Sequence, residues 1–137
     1  ADGKRAREYF FDNNPAFKSL RDRVTRAAGK KFLKGLDGRK LYIRHTHAAL
    51  NTLLQGAGAI VMKKALVILD ELLKLNTIDY KFVANIHDEW QIEVKESQAE
   101  FTGELAVKSI IQAGEEFNLL CPMDGEYKIG RNWSETH

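Results

Sequence analysis

From about His47 to Leu75, apolar residues recur at Leu50, Leu54, Ala57, Val61, Ala65, Ile68 and Leu72, at spacings of 4, 3, 4, 4, 3 and 4. That is the period of one face of an α-helix. At 1.5 Å per residue such a helix is roughly 40 Å long, and its stripe needs a covering surface. The rest of the fold must therefore be laid along it. The chain has 137 residues, the size of one domain, and residues 1–137 are expected to form a single domain. No apolar run approaches the roughly 18 residues of a membrane span, so no membrane partner is expected.

The flanking segments read as mixed elements. A first helix is expected over about Lys4–Asp12. A second begins after Asn14, with Pro15 at its first position, where a missing N–H costs nothing. Phe17, Leu20, Val24 and Ala27 make its stripe, and Gly29 is its expected stop. In KKFLKGLDGRKLYIR, Asp37-Gly38 predicts a type I′ hairpin between strands at about 31–36 and 39–44. KFVANIHDEWQIEVK reads as a second strand pair, with Phe82, Ala84 and Ile86 on one face of its first arm and Trp90, Ile92 and Val94 on one face of its second. Ser97 and Glu100 make a capping box for a last helix over about 98–118, with Phe101, Leu105, Ile110 or Ile111, and Phe117 inward. A short strand near 123–129 follows. The order is α-α-β-β-α-β-β-α-β, an α+β fold.

Charge is split along the chain. Residues 1–45 carry 13 Lys and Arg against 5 Asp and Glu, whereas residues 46–137 carry 8 against 14. A basic half suits a polyanion and an acidic half suits cations, although a dipolar domain has the same pattern. The hairpin with Arg39 and Lys40 forms a basic ribbon that can follow a phosphate backbone. One cysteine, Cys121, excludes an internal disulfide and a Cys-cluster zinc site. It fits a reduced intracellular compartment. The basic start lacks the apolar segment of a secretory signal.

His87, Asp88 and Glu89 stand at or beside the turn of the second strand pair. Adjacent residues on a strand point to opposite faces, but a tight turn relaxes this and lets two carboxylates approach one point. Paired oxygen ligands suit Mg²⁺, which shares its shell with water and substrate phosphates. Acidic residues are also common in turns that are merely solvated, and the turn alone leaves both readings open. His47, Asn51 and Gln55 form a polar row one turn apart on the long helix. Amide side chains can read base or sugar edges, and a solvated helix face would look the same. Serine-hydrolase, P-loop and dinucleotide fingerprints are absent from the sequence.

DGRKLYIR, HAALNTLLQGAGA, IHDEWQIEV and GRNW with a terminal His, in this order and spacing, resemble the C-terminal part of family A (Pol I-like) DNA polymerases. The phage replicative branch is the one they resemble most. The similarity extends over essentially the whole chain and implies a partial polymerase palm: a strand pair carrying His-Asp-Glu packed against a long helix, with a basic hairpin and N-terminal helices. It implies that Asp88 binds catalytic Mg²⁺, with Glu89 as a supporting acidic group. His87 would lie against the primer 3′ end. Asn51 and Gln55 would contact the primer–template minor groove, with His47 where many members carry Arg. Arg39 and Lys40 would approach the DNA backbone. The implied reaction is two-metal phosphoryl transfer from a deoxynucleoside triphosphate, in the cytoplasm, or the host cell interior if the source is viral.

The family's other palm aspartate motif and its nucleotide-holding fingers helix are not in this sequence. The chain is therefore expected to be a fragment or a natural subunit of a split polymerase, inactive alone, its two-Mg site completed by upstream residues. It is expected to bind an upstream polymerase chain or to self-associate. A non-catalytic DNA-binding module is the alternative. A metal-dependent hydrolase using His87, Asp88 and Glu89 is a third reading, without a visible second ligand cluster.

Overall fold

The computed structural model describes residues 2–136. Its elements are helices α1 (Asp2–Asn13) and α2 (Pro15–Ala28), strands β1 (Phe32–Lys34) and β2 (Lys40–Tyr42), helix α3 (Ala49–Leu75), strands β3 (Tyr80–Ile86) and β4 (Glu89–Val94), and helices α4 (Ala99–Glu116) and α5 (Trp133–Thr136). Short 3₁₀ turns precede α3 and α4. Each strand pair is an antiparallel two-stranded sheet. The expected strand near 123–129 does not form; that segment is neither helix nor strand. The chain divides into two compact units, 1–57 and 58–137, and α3 contributes to both.

The first unit buries Val24, Ala28, Leu33, Ile43 and Ala49, with Leu41, Leu50 and Leu53 packed against them. Pro15 opens α2 as expected, but Asn14 makes no side-chain cap; its amide donates to the Phe10 carbonyl at 2.8 Å. The buried stripe of α2 is Val24 and Ala28, while Phe17, Leu20 and Ala27 remain exposed. Gly29 is right-handed, and the left-handed φ of 63° falls on Lys31. The first hairpin also departs from the type I′ expectation. Its last pair is Lys34↔Lys40, which leaves a five-residue loop, Gly35 to Arg39. Gly38 alone is left-handed there, at φ 85°, and its N–H donates to the Gly35 carbonyl at 3.0 Å. The longer loop gives Asp37 room to accept hydrogen bonds from the Arg39 backbone and guanidinium.

The second unit is built on the remainder of α3. Leu69 and Leu73 are fully buried and form a core with Ile78 and Leu105, covered by Leu72, Tyr80, Trp90, Ile92 and Val94. Val61, Ala65 and Ile68 are buried as the helical stripe requires, but Leu54 is 52% exposed. The segment Thr46–Leu75 is, by length and composition, long and apolar enough to cross a membrane. The expectation of no such segment is corrected here: scattered small and polar residues interrupt the apolar run without lowering its average enough. Core helices of water-soluble folds pass the same test, and this one supplies buried residues to both cores.

Helix α4 buries small residues, Thr102, Gly103, Ser109, Ala113 and Gly114, together with Leu105. Phe101 and Ile111 lie outside. The reason is the close return of the following segment. A Cβ on Gly103 would stand 2.3 Å from the Tyr127 ring, and one on Gly114 would stand 2.5 Å from Met123. The Ser97/Glu100 capping box does not form. Glu100 instead accepts from the Tyr127 hydroxyl at 2.7 Å. Large apolar side chains remain exposed in both units, including Tyr9 and Phe10 in the first and Val67, Leu75 and Leu120 in the second.

Candidate catalytic hairpin and nucleic-acid interface

The β3–β4 hairpin positions the acidic pair. Its register runs Tyr80↔Val94 and Phe82↔Ile92, shifts by one residue at Val83, then continues Ala84↔Gln91, Asn85↔Trp90 and Ile86↔Glu89. One residue of bulge exchanges the faces of the strand beyond it. Phe82 therefore shares a face with Ile92 and Val94, while Ala84 and Ile86 lie on the opposite face with Gln91 and Glu89. The expectation that Phe82, Ala84 and Ile86 share one face is corrected by this bulge. Trp90, Ile92 and Val94 stay on the core side, as β4's alternation predicts.

The bulge leaves His87 and Asp88 as a two-residue turn between Ile86 and Glu89. His87 is left-handed, at φ 56°, and Asp88 is not. Histidine occupies that region more readily than most non-glycine residues, but left-handed backbone still costs about 1–2 kcal/mol. Asp88 and His87 are exposed and Glu89 is half-buried. Glu89 accepts from the Gln91 amide two residues along β4. Asp88 and Glu89 line a groove of about 1490 Å³ within the second unit, as do Lys128 and Arg131.

Two adjacent carboxylates, one in solvent and one half-buried, are hard oxygen donors of the kind Mg²⁺ takes. They fit part of a metal shell. Among the described residues, no group of three or more His, Cys, Asp or Glu side chains converges.

In the first unit, Asn51 and Gln55 are exposed one turn apart on α3. His47 belongs to the 3₁₀ turn Thr46–Ala48 rather than to the helix. Its ring stacks on His45, centroids 5.5 Å apart. The predicted row is thus regular only from Asn51 to Gln55. Lys40 Nζ lies 4.9 Å from the Phe32 ring centroid, and Arg39 is held by Asp37. The excess of positive over negative charge falls in this unit: 1–57 hold 13 Lys and Arg against 5 Asp and Glu. Gln91 was not among the expected site residues. The alternation Glu89-Trp90-Gln91-Ile92-Glu93-Val94 is the signal that places it beside Glu89.

A model of the family described as DNA polymerase family A matches residues 2–135. The chain belongs to DNA polymerase family A. Similar members include the DNA-directed DNA polymerases of Enterobacteria phage T3 and Escherichia phage Phieco32, each 36% identical, covering 98% and 99% of this chain and 22% and 23% of the relative. DNA polymerase I of Aquifex aeolicus is 35% identical over 94% of this chain and 23% of its own length. The chain thus spans under a quarter of these family A polymerases. The POL domain of Pol1 from M. smegmatis, solved in complex with a DNA primer-template and dNTP, superposes with a TM-score of 0.73 at 23% identity, covering 91% of this chain and 23% of that one. The shared fold is α+β, with antiparallel strand pairs and helices matching family A palm architecture.

Proposed function

We propose that residues 1–137 act as the C-terminal palm portion of a DNA-directed DNA polymerase, one part of a catalytic site for template-directed nucleotide addition. The observation that carries this reading is the hairpin: family A membership over nearly the whole chain, with Asp88 and Glu89 at the tip of a register-shifted strand pair.

Asp88 and Glu89 would hold Mg²⁺, together with carboxylates that the described residues do not supply. The chemistry those ions supply when bound is activation of the primer 3′-hydroxyl and neutralisation of the departing pyrophosphate. His87, displayed by its left-handed turn, would donate to the primer's terminal nucleotide. Asn51 and Gln55 would hydrogen-bond groove edges, where readout is degenerate and any sequence is accepted. His47 would add a contact nearby. Lys40, and Arg39 once it exchanges Asp37 for a phosphate, would fix the backbone without reading sequence. The protein's contribution is mainly positioning and electrostatics.

Primer-template DNA, a deoxynucleoside triphosphate and further polymerase polypeptide are the partners this reading requires, inside the cell. The exposed apolar side chains and the open edges of both two-stranded sheets support a further polypeptide surface. A second reading, a DNA-binding module without chemistry, is favoured by the concentration of positive charge in the first unit. Mg²⁺-dependent primer extension by this chain mixed with a polypeptide supplying the other palm carboxylates separates them. Extension that Asp88→Ala abolishes, with salt-dependent DNA binding retained, supports catalysis. Extension unaffected by Asp88→Ala overturns the metal assignment.

A further inference from the structure

The polar face of β4 does more than display Glu89. Gln91 Nε2 donates to Glu89 Oε1, and Gln91 Oε1 accepts from Thr136 Oγ1 at 3.2 Å. A glutamine amide has one donating and one accepting end. With a hydroxyl donating to the oxygen, the NH₂ end is turned toward the carboxylate. Across the hairpin, Ile86 stands opposite Glu89 and Ala84 opposite Gln91. Thr136 has a single hydroxyl proton and a second acceptor within reach, the Trp133 carbonyl at 3.2 Å. The short helix that carries it is closed by Glu135, which accepts from the Arg131 N–H at 2.7 Å and the Asn132 amide at 2.8 Å.

We propose that Gln91 is a positioning residue for Glu89, and that the hydroxyl of Thr136 sets the orientation of the Gln91 amide. The last helix of the chain thereby holds the second acidic group of the hairpin in one rotamer, facing the groove. The consequence for function rests on the reading that Asp88 and Glu89 hold divalent metal. Groups that orient a metal ligand typically change metal affinity 10–100-fold when removed.

The test uses the full chain and three variants. Gln91→Met keeps the length and removes the amide; Thr136→Val keeps the shape and removes the hydroxyl; Thr136→Ser keeps the hydroxyl. NMR three-bond couplings report the Glu89 rotamer, and paramagnetic broadening by Mn²⁺ reports metal at the hairpin. The expected result is one dominant Glu89 rotamer in the parent chain and in Thr136→Ser, and averaged couplings in Gln91→Met and Thr136→Val. Mn²⁺ affinity is expected to fall about 10-fold in the latter two. Unchanged Glu89 couplings in both would overturn the positioning role, whatever the metal does. Absence of Mn²⁺ broadening at Asp88 and Glu89 in the parent chain mixed with a polypeptide supplying the other palm carboxylates would instead remove the metal reading, and the couplings would still decide the relay. Thr136 is only partly buried on a short helix, so its variants test the idea even if Gln91→Met fails to fold.

Discussion

The Tyr127 ring occupies the space that a side chain at Gly103 would need, only 2.3 Å from an ideal Cβ, and its hydroxyl reaches Glu100 on the same helix at 2.7 Å. The segment after α4 is therefore seated on a helix face where glycine leaves room for it. Gly103→Ala should displace Tyr127 and destabilise the fold by about 1–3 kcal/mol, the usual cost of overpacking. Urea unfolding of that variant beside Tyr127→Phe checks this, since the second loses only the exposed hydrogen bond and should cost under about 1 kcal/mol.

Tyr80 and Lys74 converge on one carboxylate, tying β3 to α3. The Tyr80 hydroxyl donates to Asp70 Oδ1, and Lys74 Nζ donates to Oδ2 at 2.6 Å. The hydrogen bond from Lys74, then that from Tyr80, holds the Asp70 carboxyl below its ordinary 3.8. A carboxylate depressed in the folded state stabilises above its unfolded value and loses that contribution as pH falls through the folded one. Stability should therefore drop as pH falls below about 4, and Asp70→Asn should flatten that slope. Denaturant midpoints between pH 6 and pH 2 measure it.

His87 holds a left-handed backbone at the hairpin tip. Strain of this kind gathers where function needs a particular display. His87→Gly should therefore raise thermal stability by about 0.5–1 kcal/mol while lowering primer extension in the complemented mixture. Equal loss of both would mean that the histidine stabilises the turn.

Lys40 and Asn51 should be separable by salt. If Lys40 touches phosphate, Lys40→Ala reduces the slope of log K against log salt by about 0.9. Asn51→Ala should weaken binding about equally at every salt concentration. Fluorescence anisotropy on a primer-template at several ionic strengths distinguishes the two.

Local chemistry made much of this legible. Pro15 opens α2, the 4-3-4 spacing finds α3, and the strict alternation of β4 sorts core from polar face. What escaped the sequence depends on distant approach. Nothing in Lys81–Ile86 marks the bulge at Val83, yet it decides which residues accompany Glu89. The inward face of α4 could not be found from hydrophobicity, because the helix buries glycine, serine and alanine against a segment whose path is set elsewhere. His47 fell off its row because the chain enters α3 through a tighter 3₁₀ turn. The acidic pair was visible as residue types, but its partner Gln91 becomes meaningful only when Thr136 is brought beside it from 45 residues away.

The boundary between the two units also divides the charge, since residues 46–57 carry none. A net of +2 therefore misdescribes how the molecule meets a charged medium. It should adhere to cation-exchange resin through the first unit and to anion-exchange resin through the second near neutral pH. Its solubility should rise with added salt, as attraction between oppositely charged units of neighbouring molecules is screened.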